Sequence, residues 1–255
     1  MKRLIAIILV LSVAMGVLAC FVGCSEADNT KSSGDWKYLE KEDGTISLVS
    51  YIGSNAHVVV PATLEGKTVS SIEGGLFMSV NDGSSSRRLR DVYQNNEVVE
   101  TVEFAAPVTA IPERTFYLCN KLTSVTLPDT CESIGDFAFY GCSALTRIDI
   151  PTACTSIGAY CFRQCDKLAD VYIHNSADAT MPPKIGDKCF YLVDSKSSKE
   201  DQYYIIPDLR ITVYNIAVFD ETVILEERKK NHTNDYKYWL EYMTAEDNRV
   251  FAMMD

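Results

Sequence analysis

Cysteine and histidine carry most of the chemical possibilities in this chain. Cys20 and Cys24 lie in an apolar N-terminal stretch, and seven more follow: Cys119, Cys131, Cys142, Cys154, Cys161, Cys165 and Cys189. The Cys161-x-x-x-Cys165 spacing would suit metal ligation or a redox pair. The three histidines, His57, His174 and His232, fall in none of the cysteine motifs, so no metal is expected. A Ser-His-Asp or Cys-His set needs groups brought together in space, and nothing in the spacing joins any two of these. No phosphate-cradling Gly-Lys-Ser/Thr loop, His-Glu-x-x-His run, Gly-x-Ser-x-Gly turn or aspartate-rich cation loop occurs. The expectation is a protein that is not an enzyme and takes no cofactor.

The cysteines have a simpler explanation in a repeat. Ile111, Ile134 and Ile157 are each followed five residues later by a phenylalanine, Phe116, Phe139 and Phe162, and the isoleucines are 23 residues apart. Ile185 and Phe190 repeat the pair after an insertion of five that holds Pro182-Pro183. A period of this size points to a solenoid. In each coil Val, Ile or Leu alternates with polar residues, as in Leu122-Thr-Ser-Val125-Thr-Leu127-Pro128 and Leu145-Thr-Arg-Ile148-Asp-Ile150-Pro151. Alternation of that kind predicts a strand with one buried face, and Pro at its end removes a ladder donor. Gly135, Gly158 and Gly186 after the isoleucine suit a tight bend, and the Ala/Cys-Phe pair then drops inward on a short helical turn. Cys119, Cys142 and Cys165 fall in one column, Cys131 and Cys154 in a second, and Cys161 and Cys189 in the slot of Ala138. Small, soft thiols suit a narrow interior; disulfides between neighbouring coils are the alternative, and an odd count opposes complete pairing.

Leu-x-x-Val/Ile-x-Leu/Ile-Pro, then Ser-Ile-Gly, Phe and Cys, resembles the BspA-like leucine-rich repeats of bacterial surface proteins. The likeness covers about residues 45–215. It includes an opening segment at Gly44 to Phe77 and a closing coil at Met181-Pro-Pro-Lys-Ile185. It implies a right-handed coil with a stacked parallel sheet on one face and short helical turns, and a role in adhesion to a host, matrix or neighbouring-cell protein. A coil swollen over 78–98 and a C-terminal segment that matches only loosely are its departures.

The first residues, Met-Lys2-Arg3 and then an apolar run from Leu4 to Val22, form a secretion signal; an uncleaved membrane anchor is the alternative. Val22-Gly23-Cys24-Ser25 resembles a lipoprotein processing site, with Cys20 the alternative site. The expected organisation is a signal peptide over 1–23, a polar tether over 24–35, the solenoid over 36–215 and a C-terminal cap over 216–255. An acylated Cys24 would hold the chain to the outer side of a bacterial membrane. Losing residues 1–23 removes Lys2 and Arg3 and no acid, so the net charge moves from −11 to −13. Nucleic acid is therefore excluded as a partner.

The stacked strands would set their outward residues in two columns. One is Thr101, Ser124, Arg147 and Asp170; the other is Glu103, Thr126, Asp149 and Tyr172. These residues are the expected face for a protein partner, with Tyr and Arg favoured as anchors. A loop carrying Arg87, Arg88 and Arg90 is a second candidate contact, and the stretch from Lys196 to Asp201 reads as exposed loop. Beyond Ile211 a helix is expected over Glu221 to Lys230. Tyr236, Tyr238, Trp239 and Tyr242 would then cover the end of the stack. The alternative for these aromatics is a glycan-binding or envelope-structural role.

Overall fold

The computed structural model describes residues 29–80, 93–175, 183–193, 203–205, 209–214 and 253–254. Cys20, Cys24, the Arg87–Arg90 loop, the Lys196–Asp201 loop, the Glu221–Lys230 helix, His232 and the C-terminal aromatics lie outside the described residues.

The chain opens with β1 (Lys31–Ser33), β2 (Trp36–Glu40), β3 (Ile46–Tyr51), β4 (His57–Val60), β5 (Thr63–Leu64) and β6 (Lys67–Ile72). The stretch expected as a tether thus includes a strand, and β1 pairs with β2 in antiparallel fashion. β7 (Ser79–Val80) and β8 (Tyr93–Gln94) pair with each other across the expanded coil. The repeats follow as β9 (Thr101–Phe104), β10 (Ala110–Ile111), β11 (Ser124–Thr126), β12 (Ser133–Ile134), β13 (Arg147–Ile150), β14 (Ser156–Ile157), β15 (Asp170–His174) and β16 (Lys184–Ile185). Last are β17 (Tyr191–Val193), β18 (Tyr203–Ile205), β19 (Arg210–Tyr214) and β20 (Met253–Met254).

Each repeat contributes to two parallel ladders. The first runs β4-β9-β11 and then β13-β15-β19-β20, with the alternating residues Val102, Val125, Ile148 and Val171 turned inward. The second, β10-β12-β14-β16, consists of two-residue strands that align Ile111, Ile134, Ile157 and Ile185. Two residues carry no alternation, so the repeat pattern alone did not reveal this ladder.

The expected short helical turns are not formed among the described residues; this part of each coil is a run of tight turns. Arg114, Leu118, Phe137, Tyr160, Gln164 and Lys188 all have φ between 50° and 59°, a left-handed conformation that a right-handed helix cannot pass through. Backbone groups here bond to the next coil instead: Phe116 N–H to Ala138 O, Phe139 N–H to Cys161 O, and Phe162 N–H to Cys189 O. These coil-to-coil bonds alternate with single-turn bonds such as Tyr140 N–H to Phe137 O and Cys142 N–H to Phe139 O, and no continuous helical ladder forms.

The glycines after isoleucine serve close packing rather than the expected bend. A Cβ on Gly135, Gly158 or Gly186 would sit 2.6, 2.4 or 2.3 Å from backbone of the preceding coil. Only hydrogen fits there.

Inside, Phe77, Phe116, Phe139, Phe162 and Phe190 form a single stack with centroids 5.0, 4.9, 5.1 and 5.3 Å apart. Trp36 and Tyr51 pack on Phe77 and close the N-terminal end. Buried Asn96 donates to Phe77 O and accepts from the Val98 and Val99 amides, stitching the end of the expanded coil to the first repeat.

All seven described cysteines are buried free thiols. Cys142 Sγ donates to Phe116 O and Cys165 Sγ to Phe139 O, both at 3.1 Å, and Cys119 Sγ reaches Phe77 O at 3.6 Å. Cys131 and Cys154 each donate to a serine carbonyl two residues on. Burial pushes the Cys131 thiol up to about 11 and the Cys154 thiol up to about 12. It raises Cys119, Cys142 and Cys161 as well.

Phe139→Ala should lower stability by about 3–5 kcal/mol by opening a cavity in the ring stack, whereas exposed Thr126→Ala should leave the urea unfolding midpoint nearly unchanged. Equal midpoints would contradict the inward and outward assignment. Cys119, Cys131, Cys142, Cys154 and Cys161 set a pH dependence. Folded, they stay protonated; unfolded, they ionise near the ordinary thiol value of about 8.5. The unfolded state then binds fewer protons, so stability is intact below that pH and falls as pH rises above it. Urea midpoints under reducing conditions at pH 8, 9 and 10 should decline in step, and a flat profile would contradict buried neutral thiols.

Candidate functional site

Alternation along the first ladder turns the polar partner of each buried aliphatic outward. Thr101 pairs with Ser124 and Glu103 with Thr126 across β9 and β11. Arg147 pairs with Asp170 and Asp149 with Tyr172 across β13 and β15. β11 and β13 lie side by side, but no ladder pairing joins them among the described residues. Each expected column is thus two paired rungs beside two paired rungs.

The second half is the more structured. Arg147 donates from Nε to Asp149 Oδ2 at 2.9 Å and from Nη2 to Oδ1 at 2.8 Å. Its guanidinium also lies 4.2 Å from the Tyr172 ring centroid, a cation–π contact. His174 Nε2 is 3.5 Å from the same Asp149 oxygen. The Arg147 hydrogen bond, and then His174, hold the Asp149 carboxyl below the usual carboxylate range. A bidentate pair with a ring beneath it fixes the orientation of both long side chains.

His57 and Val59 extend the face on β4. His57 Nδ1 lies 2.8 Å from Thr101 Oγ1, and exposed Val59 is the ladder partner of Glu103. Two of the three histidines therefore belong to the strand face. The signal was present for His174, which continues the alternation Asp170, Tyr172, His174.

A second surface went unread in the sequence. On the turn side, Arg114, Phe137 and Tyr160 recur at the coil period, as do Tyr117, Tyr140 and Arg163. The Phe137 and Tyr160 rings stack 5.0 Å apart, as do those of Tyr117 and Tyr140, and Phe137 touches Tyr140 at 5.9 Å. Arg114 caps Phe137 at 5.2 Å, and Arg163 lies over Tyr160 at 5.2 Å and Tyr140 at 5.9 Å. Glu113 pairs with Arg114 at 2.7 Å. All six residues of the two columns are half-buried. What these surfaces offer is ordered, partly desolvated contact area. The described thiols, the usual nucleophile candidates, are all buried.

The family model described as BspA type Leucine rich repeat region matches residues 90–200 in six copies. No curated protein matches the chain. Among solved structures, the leucine rich repeat protein TpLRR of T. pallidum is 21% identical with a TM-score of 0.50, covering 72% of this chain and 70% of that one. The pneumococcal vaccine antigen PcpA is 17% identical with a TM-score of 0.46, covering 79% of this chain and 46% of that one. A leucine rich cell surface protein of Faecalibacterium prausnitzii A2-165 is 18% identical with a TM-score of 0.30, covering 75% and 72%. The T. pallidum likeness is one of fold. Residues 90–200 of this chain are thus similar to the BspA type leucine rich repeat, matched there in six copies.

Proposed function

We propose that this protein is a non-enzymatic binding and adhesion module that recognises a protein partner through its exposed strand face. The observation that carries the reading is the Arg147–Asp149–Tyr172–His174 cluster. Long side chains on an open sheet ordinarily lose rotamer freedom when they bind. Here Arg147 is already held by two hydrogen bonds and a ring, so that cost falls largely on folding. Tyr and Arg are also the residue types that most often dominate interface energetics. Thr101, Glu103, Ser124, Thr126 and Asp170 would complete the contact face around this centre.

The N-terminal segment supports a place on the cell surface. Its basic start, apolar run and cysteine fit a lipid attached at Cys24, or at Cys20, on the outer side of a bacterial membrane. Host, matrix or neighbouring-cell proteins would then be within reach of the face.

Two measurements test this reading. Surface-labelling pull-down with the lipid-free chain should capture a partner, and Tyr172→Ala combined with Arg147→Ala should weaken capture by about 30-fold or more with an unchanged unfolding midpoint. Undiminished capture by that variant would refute the strand face. Cys24→Ala should move the protein from the membrane fraction to the soluble fraction and abolish incorporation of labelled palmitate; persistent labelling would direct attention to Cys20.

A further inference from the structure

We propose that the aromatic ladder on the turn side is a second binding site, and that its ligand is a linear, uncharged polysaccharide. This inference is independent of the strand face and uses none of its residues.

Backbone conformation is the first argument. Arg114, Phe137, Tyr160 and Lys188 occupy equivalent positions with φ of 56°, 57°, 56° and 50°. Glycine adopts this conformation without strain, and large side chains do not. The column of Leu118, Gly141 and Gln164 shows that a glycine is accommodated elsewhere in the same turns. The turn needs this conformation to aim its amides at the next coil, but it does not need a large side chain there, so the aromatic and cationic residues call for a reason of their own.

Charge narrows the ligand. Arg114, Arg163 and Lys188 are matched by Glu113, Asp136 and Asp187 in the adjoining column, so the surface presents no net field to a polyanion or a polycation. Arg114 is bound to Glu113, and Asp136 Oδ1 accepts the Ala159 amide at 2.7 Å. What remains is a set of rings, phenol hydroxyls, guanidinium groups and carboxylates at closely spaced positions. The stacked rings and the guanidinium groups over them cover one another's faces, so a sugar would meet ring edges, while the polar groups donate to and accept from its hydroxyls.

Periodicity narrows it further. Similar groups recur at every coil, with the stacked rings 5.0 Å apart. A ligand gains from a repeated site only if it repeats too, and a polysaccharide does so where a folded protein surface does not.

The full chain should be tested on insoluble cellulose and chitin, and by affinity electrophoresis in soluble β-glucan and mannan. At least one should retain it, and retention should survive about 1 M NaCl, because neutral contacts are not screened. Tyr140→Ala should weaken retention by about ten-fold or more, and Tyr140→Phe should preserve most of it. Arg163→Gln, which leaves both ring pairs in place, should weaken binding even if Tyr140→Ala disturbs folding. The Tyr172→Ala, Arg147→Ala variant should bind as the parent does. Retention on none of the four polymers, its loss in salt, or its loss in the Tyr172→Ala, Arg147→Ala variant would each overturn the proposal.

Discussion

The spacing of the phenylalanine stack governs everything else in this molecule. Rings at face-to-face contact lie 4.9 to 5.3 Å apart here, and paired β-strands lie about 4.7–4.9 Å apart. The two distances agree closely enough for one translation per coil to satisfy both. With that translation fixed, positions 23 residues apart in the regular coils meet their own equivalents. Thiols then point at the preceding coil's carbonyls, isoleucines lie over isoleucines, and glycines meet neighbouring backbone at distances that no Cβ would allow. A phenylalanine alone on one coil would bury its edge and leave its faces wet. Stacking removes that exposure along the coils, Phe190 at the last of them is fully buried too, and Trp36 with Tyr51 covers the N-terminal end.

This dependence explains why the turn stretch is not a helix. A helix satisfies its backbone within itself and rises along its own axis, indifferent to its neighbour. In this coil the amides of Phe116, Phe139 and Phe162 are aimed at the next coil, which brings each ring directly over the last. The left-handed residues at Arg114, Phe137 and Tyr160 turn the chain so that those amides can point across. The cost is local strain, and the return is a backbone bonded in the same direction as its side chains.

Much of the fold could be read from the residues, and the reasons for the misses are specific. Exact spacing of Ile111, Ile134 and Ile157 gave the coil, and alternation at Leu145 to Ile150 gave the first ladder with its inward and outward sides. The second ladder could not be seen because Ser133-Ile134 is too short to alternate. The turns could not be told from helical ones because left-handed geometry at Phe137 or Tyr160 follows from no propensity. Within the strand face, Arg147 and Asp149 stand two apart on one strand, so their pairing followed from the pattern. Tyr172 beneath Arg147 is a diagonal contact to the next rung that only register reveals. The turn-side ladder is written in the repeat spacing of Tyr117 and Tyr140, but spacing alone does not say that two outward rings will stack.

The two outer faces differ in a way that bears on what each can bind. Along the strand face the outward residue changes at every rung: Thr101, Ser124, Arg147, Asp170. No ligand that repeats could match that series, whereas a folded protein surface, itself aperiodic, could match it at one register only. The turn side has the opposite character, with aromatic or cationic groups at each step and charges that cancel between adjoining columns. Such a surface is degenerate in register and can be occupied at several offsets by a polymer that repeats. Specific recognition and general adhesion place contradictory demands on a single surface. A coil could answer both, because its core fixes only the inward residues and leaves the outer sides free to vary.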